Sequence, residues 1–181
     1  MTWAIWITGL PGSGKSVIAE KVREILKERV QVLELDEIRK FITPKPSYSD
    51  DERDIVYASL VYMAKILVAS GIPVIIDATA NRRRYRDRAR ATIGNFAEVY
   101  VKCSLDTCMA RERDRKAKYA PTGIYKRSKK DGATVPGVNV PYEEPLNPDV
   151  VVDSERMGVK ACAAKVVEYI IMQGWSAEET W

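Results

Sequence analysis

The sequence predicts a three-layer α/β/α fold on a mostly parallel five-stranded sheet, with an added lid segment. Three observations carry this reading. Five short, β-branched apolar runs recur along the chain: "WAIWIT", "VQVLEL", "IPVIID", "AEVYVKC" and "PDVVVD". The segments between them repeat their apolar residues at helical spacing. A glycine-rich loop, "GLPGSGKS", joins the first run to the first such segment. Short continuous apolar runs are typical of strands buried on both faces. Strands alternating with helices fold most simply with parallel strands and right-handed crossovers.

The elements follow in order. Ile5 and Ile7 lie in the first strand, and a helix is predicted over 16–28, where Ile18, Val22, Ile25 and Leu26 step by three and four. Further helices are predicted over 51–69, 82–92, 105–118 and 159–172. In the first of these, Tyr57, Leu60, Val61, Ala64, Leu67 and Val68 form one apolar stripe. "FITPKPSYSD" cannot be helical through Thr43-Pro44 or Lys45-Pro46, because a residue before proline avoids the helical region. Residues 119–148 are loaded with Pro, Gly and Lys/Arg, and a segment of that length in a compact fold reads as a lid or binding loop. Ile124, Tyr125, Val135, Val138 and Tyr142 give it apolar anchors. At 181 residues, 1–181 reads as a single domain.

Composition narrows the chemistry. There is no histidine, which removes histidine triads, histidine metal sites and histidine bases. Phosphoryl transfer needs none of these, since positioning and charge neutralisation dominate its catalysis. The net charge of +4 comes from interspersed acids and bases, which suits a small polyanionic partner and does not demand nucleic acid. Cys103, Cys108 and Cys162 show no C-x-x-C spacing, so free thiols in a reducing compartment are expected. The N-terminus lacks a charged-then-apolar leader, and no apolar run approaches the roughly 18 residues of a membrane span. A cytoplasmic protein with no membrane partner is the expectation. A homodimer is admitted by the sequence without being specified by it.

The loop Gly9, Leu10, Pro11, Gly12, Ser13, Gly14, Lys15, Ser16 fits the phosphate-binding pattern, whose glycines let backbone N–H groups curl around phosphates at a helix N-terminus. Lys15 is assigned to the outer phosphates of a bound nucleotide and Ser16 to Mg²⁺. "LELDEIRK" puts Asp36 where the second strand stops, expected beside the loop, to take a proton from an acceptor hydroxyl or orient a metal-bound water. A helix-capping carboxylate is the alternative there. Arg39 is assigned to an anionic part of the acceptor.

Asp77 ends the third strand and is expected to brace Mg²⁺ through water, with capping by Asp77 or Thr79 as the alternative. The arginines of "NRRRYRDRAR" point in too many helical directions to share one site, and Arg86 is the one expected to reach the acceptor pocket. Arg111 and Arg113 are two apart and cannot share a helix face; Arg113 is assigned to the transferring phosphate and Arg111 to the outside. The tryptophans read as packing residues.

Together with "LDEIR", "SYSDDERD" and "GIYKRSKKDGATVPGVNVPYEEP", the loop makes residues 4 to 154 resemble adenylyl-sulfate kinase (APS kinase), a family of the P-loop NTPase fold. The resemblance implies ATP and Mg²⁺, and phosphoryl transfer to the ribose 3′-hydroxyl of adenylyl sulfate in sulfate assimilation. Lys15 and Ser16 match the family's loop, Asp36 the second acid of its D-G-D, and Arg39 the arginine after it. Tyr48 falls where the family has an adenine-stacking Phe. Arg53 matches a substrate arginine, Lys126 the lysine of Y-K-R, and Arg113 the R-D pair before the lid.

Departures are plain. Glu34-Leu35 replaces D-G, Val56 stands at a substrate Asn, Val135 at an aromatic and Ala80 at a Ser, and an insertion separates "RERD" from "GIYK". Tyr125 and Tyr142 are the candidates to compensate. A second reading comes from "IDATANRRRYRDRAR", which resembles polynucleotide-kinase-like and tRNA-linked seryl kinases, with an RNA-borne or nucleic-acid hydroxyl as acceptor. A third is a nucleotide-gated switch without phosphotransfer, although no N-K-x-D guanine signature is present.

Overall fold

The computed structural model describes residues 1–27, 29–114 and 123–176. Five strands, β1 (Ala4–Thr8), β2 (Gln31–Glu34), β3 (Val74–Asp77), β4 (Phe96–Lys102) and β5 (Val150–Asp153), form one sheet in the order β2-β3-β1-β4-β5. Every pairing is parallel. The helices are α1 (Lys15–Leu26), α2 (Leu35–Ile42), α3 (Asp50–Ala69), α4 (Arg83–Thr92), α5 (Leu105–Asp114), α6 (Ile124–Arg127) and α7 (Val159–Met172).

The alternation of side chains along β1 splits the core. Ile5 and Ile7 face α1 and α7, packing with Ile18, Val22, Val166 and Ile170. Trp6 faces the opposite layer with Val56, Leu60, Val61 and Tyr85 from α3 and α4. Both faces of the sheet are therefore covered, as a parallel sheet requires. The apolar stripe of α3 is the side that lies against the sheet, and Ser49 caps that helix by accepting from Glu52 N at 3.2 Å.

The placement of the second strand is corrected. The second strand does not adjoin the loop-bearing first strand, because β3 pairs with both β1 and β2 and separates them. After β2 the chain enters α2, a short helix absent from the helices predicted by periodicity. Leu35 is buried, Ile38 and Ile42 pack beside it on the same core, and Asp36 and Glu37 sit in the first turn, where the helix dipole favours carboxylates. The predicted helix over 105–118 is seen to Asp114; its remainder and residues 119–122 of the lid lie outside the described residues.

From residue 123 the lid packs closely. Tyr125 and Val135 join Cys103 and Cys108 in a small core with Leu10 and Leu105 against it, whereas Val138 is exposed. The three cysteines are free and buried.

Candidate active site

The loop between β1 and α1 is held from behind. A Cβ at Gly12 would lie 2.6 Å from the carbonyl oxygen of Cys108, and its φ of +83° is in the left-handed region, so only glycine fits. Ser13 is buried, and its carbonyl accepts from Ser154 Oγ at 2.8 Å and from Arg111 Nη1 at 3.4 Å. Arg111 also donates to Ser154 O at 2.7 Å, fastening the loop to the end of β5. From the lid, Tyr125 Oη donates to Pro11 O at 2.7 Å. Lys15 lies over the loop and donates to Leu10 O at 3.0 Å.

A cavity of about 340 Å³ opens in front of this loop. Pro11, Lys15, Ser16, Asp36, Arg39, Tyr48, Arg53 and Asp77 all line it, so eight of the residues singled out from sequence share one wall system. Asp77 reaches it from the end of β3, and Asp36 from the first turn of α2. Gly9, Leu10, Gly12, Ser13 and Gly14 shape the loop without lining the cavity.

The acceptor side is tightly organised. Arg39 is buried and donates to Glu52 Oε1 at 2.9 Å. Its guanidinium lies 5.1 Å from the centroid of Tyr48, a cation–π contact, and Tyr48 itself sits at φ 57°. A non-glycine residue there is strained and must be held by its surroundings; Glu52 Oε1 accepts from Tyr48 N at 3.3 Å. Arg53 is buried and donates to Thr134 O at 2.7 Å and Thr134 Oγ1 at 2.9 Å, tying α3 to the lid.

Three assignments fall elsewhere. Arg86 does not line the cavity: its guanidinium is spent on Glu98, on Ala80 O and, at 2.6 Å, on Glu143 O, where it joins β4, the end of β3 and the lid. Arg113 is exposed and also outside the cavity; Arg111 is the arginine that turns inward, because it follows buried Cys108 by three residues on α5 while Arg113 follows it by five. Lys126 is exposed because Tyr125 takes the inward side of α6, and Arg127 and Lys130 are the lid bases that border the cavity. The proposed aromatic substitutes, Tyr125 and Tyr142, are not in the lining either. Tyr142 stacks on Tyr100 with centroids 6.3 Å apart and shares a hydrogen bond with Thr8 Oγ1 at 2.9 Å.

Sequence reading also missed Tyr57 and Asn81, which line the cavity. Tyr57 was read only as part of the core stripe, and its hydroxyl end is the part that periodicity cannot see.

The arginine-rich helix α4 is largely neutralised by acids of the same chain. Arg84 meets Asp54 at 2.7 Å, Arg90 meets Asp149 at 2.6 Å, and Arg82 lies 3.7 Å from Asp50 and 3.6 Å from Glu143. It is not a free basic track for a phosphate backbone.

Comparison with known proteins agrees with this geometry. The family model for adenylylsulphate kinase matches residues 1–153. An adenylyl-sulfate kinase of Bacillus velezensis is 35% identical over 174 residues, covering 92% of this chain and 83% of the relative. A probable adenylyl-sulfate kinase of Pyrococcus abyssi is 35% identical over 159 residues, covering 86% and 87%. Among solved structures, the Mycobacterium tuberculosis APS kinase CysC in complex with AMPPNP and APS superposes with a TM-score of 0.82 at 27% identity, covering 94% of this chain and 98% of that one. The chain belongs to the adenylylsulphate kinase family.

Proposed function

We propose that the chain, acting as one domain over 1–181, moves the terminal phosphoryl group of ATP to the 3′-hydroxyl of adenylyl sulfate, giving 3′-phosphoadenylyl sulfate and ADP. The observation that carries the reading is a single cavity shared by Lys15 and Ser16 of the phosphate loop with Asp36, Arg39, Tyr48 and Arg53. Amides of the loop and Lys15 cradle the phosphates at the start of α1. Asp36 takes the hydroxyl proton as the new oxygen–phosphorus bond forms and the bond to the ADP oxygen breaks. Arg39 and Arg53 hold the anionic end of the acceptor, and Tyr48 stacks on its base.

The donors present suit Mg²⁺. Among the described residues no group of three or more His, Cys, Asp or Glu could form a metal cage. The exposed Ser16 hydroxyl and the Asp77 carboxylate at the cavity wall are what Mg²⁺ needs when it keeps its waters and binds mainly through substrate phosphates. When bound, the ion neutralises phosphate charge. Among the described residues no helix is long and apolar enough to cross a membrane, and a cytoplasmic setting with small-molecule nucleotide partners belongs to the same reading.

The test incubates the protein with labelled ATP, Mg²⁺ and adenylyl sulfate and looks for label on the 3′ position of the product. Transfer to an RNA end with none to adenylyl sulfate would overturn the reading; the neutralised helix α4 speaks against that outcome.

A further inference from the structure

Val56 stands where the resemblance expects a pocket amide, and it is fully buried in the apolar layer under β1 and β3. The next residue along α3, Tyr57, reaches the cavity. Its ring is clamped: Tyr85 stacks on it with centroids 4.1 Å apart, and Trp6 lies 6.2 Å away on another side. A clamped ring fixes where its hydroxyl points.

The state of that hydroxyl can be deduced. Its oxygen accepts a hydrogen bond from Ala80 N at 3.0 Å, which occupies a lone pair and leaves the O–H proton unspent. Among the described residues it makes no other hydrogen bond. Burial pushes the phenol up to about 12, so the proton stays in place at neutral pH. The charges acting on it include Arg39 and Arg53, which favour a negative group nearby, and Asp36.

We propose that Tyr57 is a specificity-determining residue for the acceptor, donating its O–H to an anionic oxygen of adenylyl sulfate and supplying the polar contact that Val56 cannot. The inference rests on the function proposed above. Its rival is a purely structural role, in which Tyr57 serves only to satisfy Ala80 N, whose residue sits at a left-handed φ of 45°.

Tyr57→Phe keeps the stacked ring and removes the hydroxyl, and the two roles are separated by which ligand loses affinity. The expected result is a rise of about tenfold in KM for adenylyl sulfate with KM for ATP unchanged; Tm falls under either role, because Ala80 N loses its acceptor. In calorimetry, affinity for adenylyl sulfate falls by a similar factor while affinity for adenosine, which lacks the anionic group, does not. A KM for adenylyl sulfate that stays at the wild-type value overturns the inference. So does a loss shared equally by ATP and adenosine, the signature of the structural rival. Wild-type protein that fails to phosphorylate adenylyl sulfate overturns the function itself; wild-type turnover with an indistinguishable Tyr57→Phe variant overturns only the role given to Tyr57.

Discussion

Arg39 donates from Nη1 to Glu52 Oε1 at 2.9 Å, a contact between α2 and the first turn of α3 in which both side chains are largely shielded from water. The same carboxylate accepts from Ser47 Oγ at 2.7 Å and from Tyr48 N at 3.3 Å. One acid therefore orders the arginine, the strained tyrosine and the turn between them. Substituting Glu52→Gln should raise KM for the acceptor by about tenfold, since an arginine losing a shielded charged partner relaxes out of register. KM for ATP should stay put, because no contact from Glu52 reaches the phosphate loop. Steady-state kinetics with each substrate varied in turn checks both halves.

The same residue gives a pH dependence. Burial pushes the Glu52 carboxyl up, but hydrogen bonds from the Ser47 hydroxyl and amide and the Tyr48 amide, together with Arg39, outweigh it and hold the group below its ordinary value. A carboxyl depressed by folding stabilises the native state fully above its unfolded pKa, and that contribution is lost as pH falls through the folded value. Thermal melts taken from pH 7 down to about pH 3 should show the gap in Tm between wild type and Glu52→Gln closing below about pH 4. A gap that persists unchanged into acid would place the stabilisation elsewhere.

These contacts mark the boundary of what the sequence made legible. The phosphate loop, the strand-end acid Asp77 and the alternation of strands and helices were readable because each is a local pattern with a fixed period or spacing. Helix α2 was not, because eight residues are only about two turns and give periodicity little to work on. The strand order was hidden for a different reason: nothing local to "VQVLEL" says that β3 will insert between it and β1. Arg86 was misassigned because its partners, Glu98 and the carbonyls of Ala80 and Glu143, are brought to it only by the packed sheet and lid. The Glu52 hub escaped notice because a surface-looking acid becomes an organiser only once Ser47 and Tyr48 fold back over it.

Asp36 shares the cavity with Lys15, and the role assigned to it predicts a split between binding and chemistry. Asp36→Asn keeps the shape of the first turn of α2 and removes the proton acceptor. ATP affinity should stay within a few fold while turnover falls by about 10² or more. Equilibrium binding of a non-hydrolysable ATP analogue, set beside single-turnover rates, separates the two quantities. Unchanged turnover would assign proton removal to another group.

Arg86 is fully buried beside Glu98, so its removal should act on stability before it acts on chemistry. Arg86→Met leaves a shielded carboxylate with its main partner gone, and breaking such a pair costs about 3 to 5 kcal/mol. Adding Glu98→Gln should restore part of that loss by removing the stranded charge. Denaturant titration of the two single variants and the double variant measures the coupling. Arg90 lies 4.0 Å from the same carboxylate but is half exposed, so it should recover only a little of the lost charge balance.

Arg111 and Arg113 give the sharpest contrast between a position read from sequence and one read from packing. Arg111 holds Ser13 O, Ser154 O and Ser154 Oγ together, the last at 2.9 Å, so it braces the phosphate loop against the end of β5. Arg113 projects into solvent from the last turn of α5. Arg111→Ala should therefore raise KM for ATP by about tenfold or more and lower Tm, since three backbone and hydroxyl oxygens lose a charged donor. Arg113→Ala should leave Tm alone and change KM for ATP by less than about twofold, as surface substitutions usually do. The reverse pattern, with Arg113→Ala the damaging change, would mean that α5 turns or extends when nucleotide binds and carries Arg113 to the phosphates. Measuring both variants with and without a bound ATP analogue distinguishes a brace present before binding from one that forms only with it.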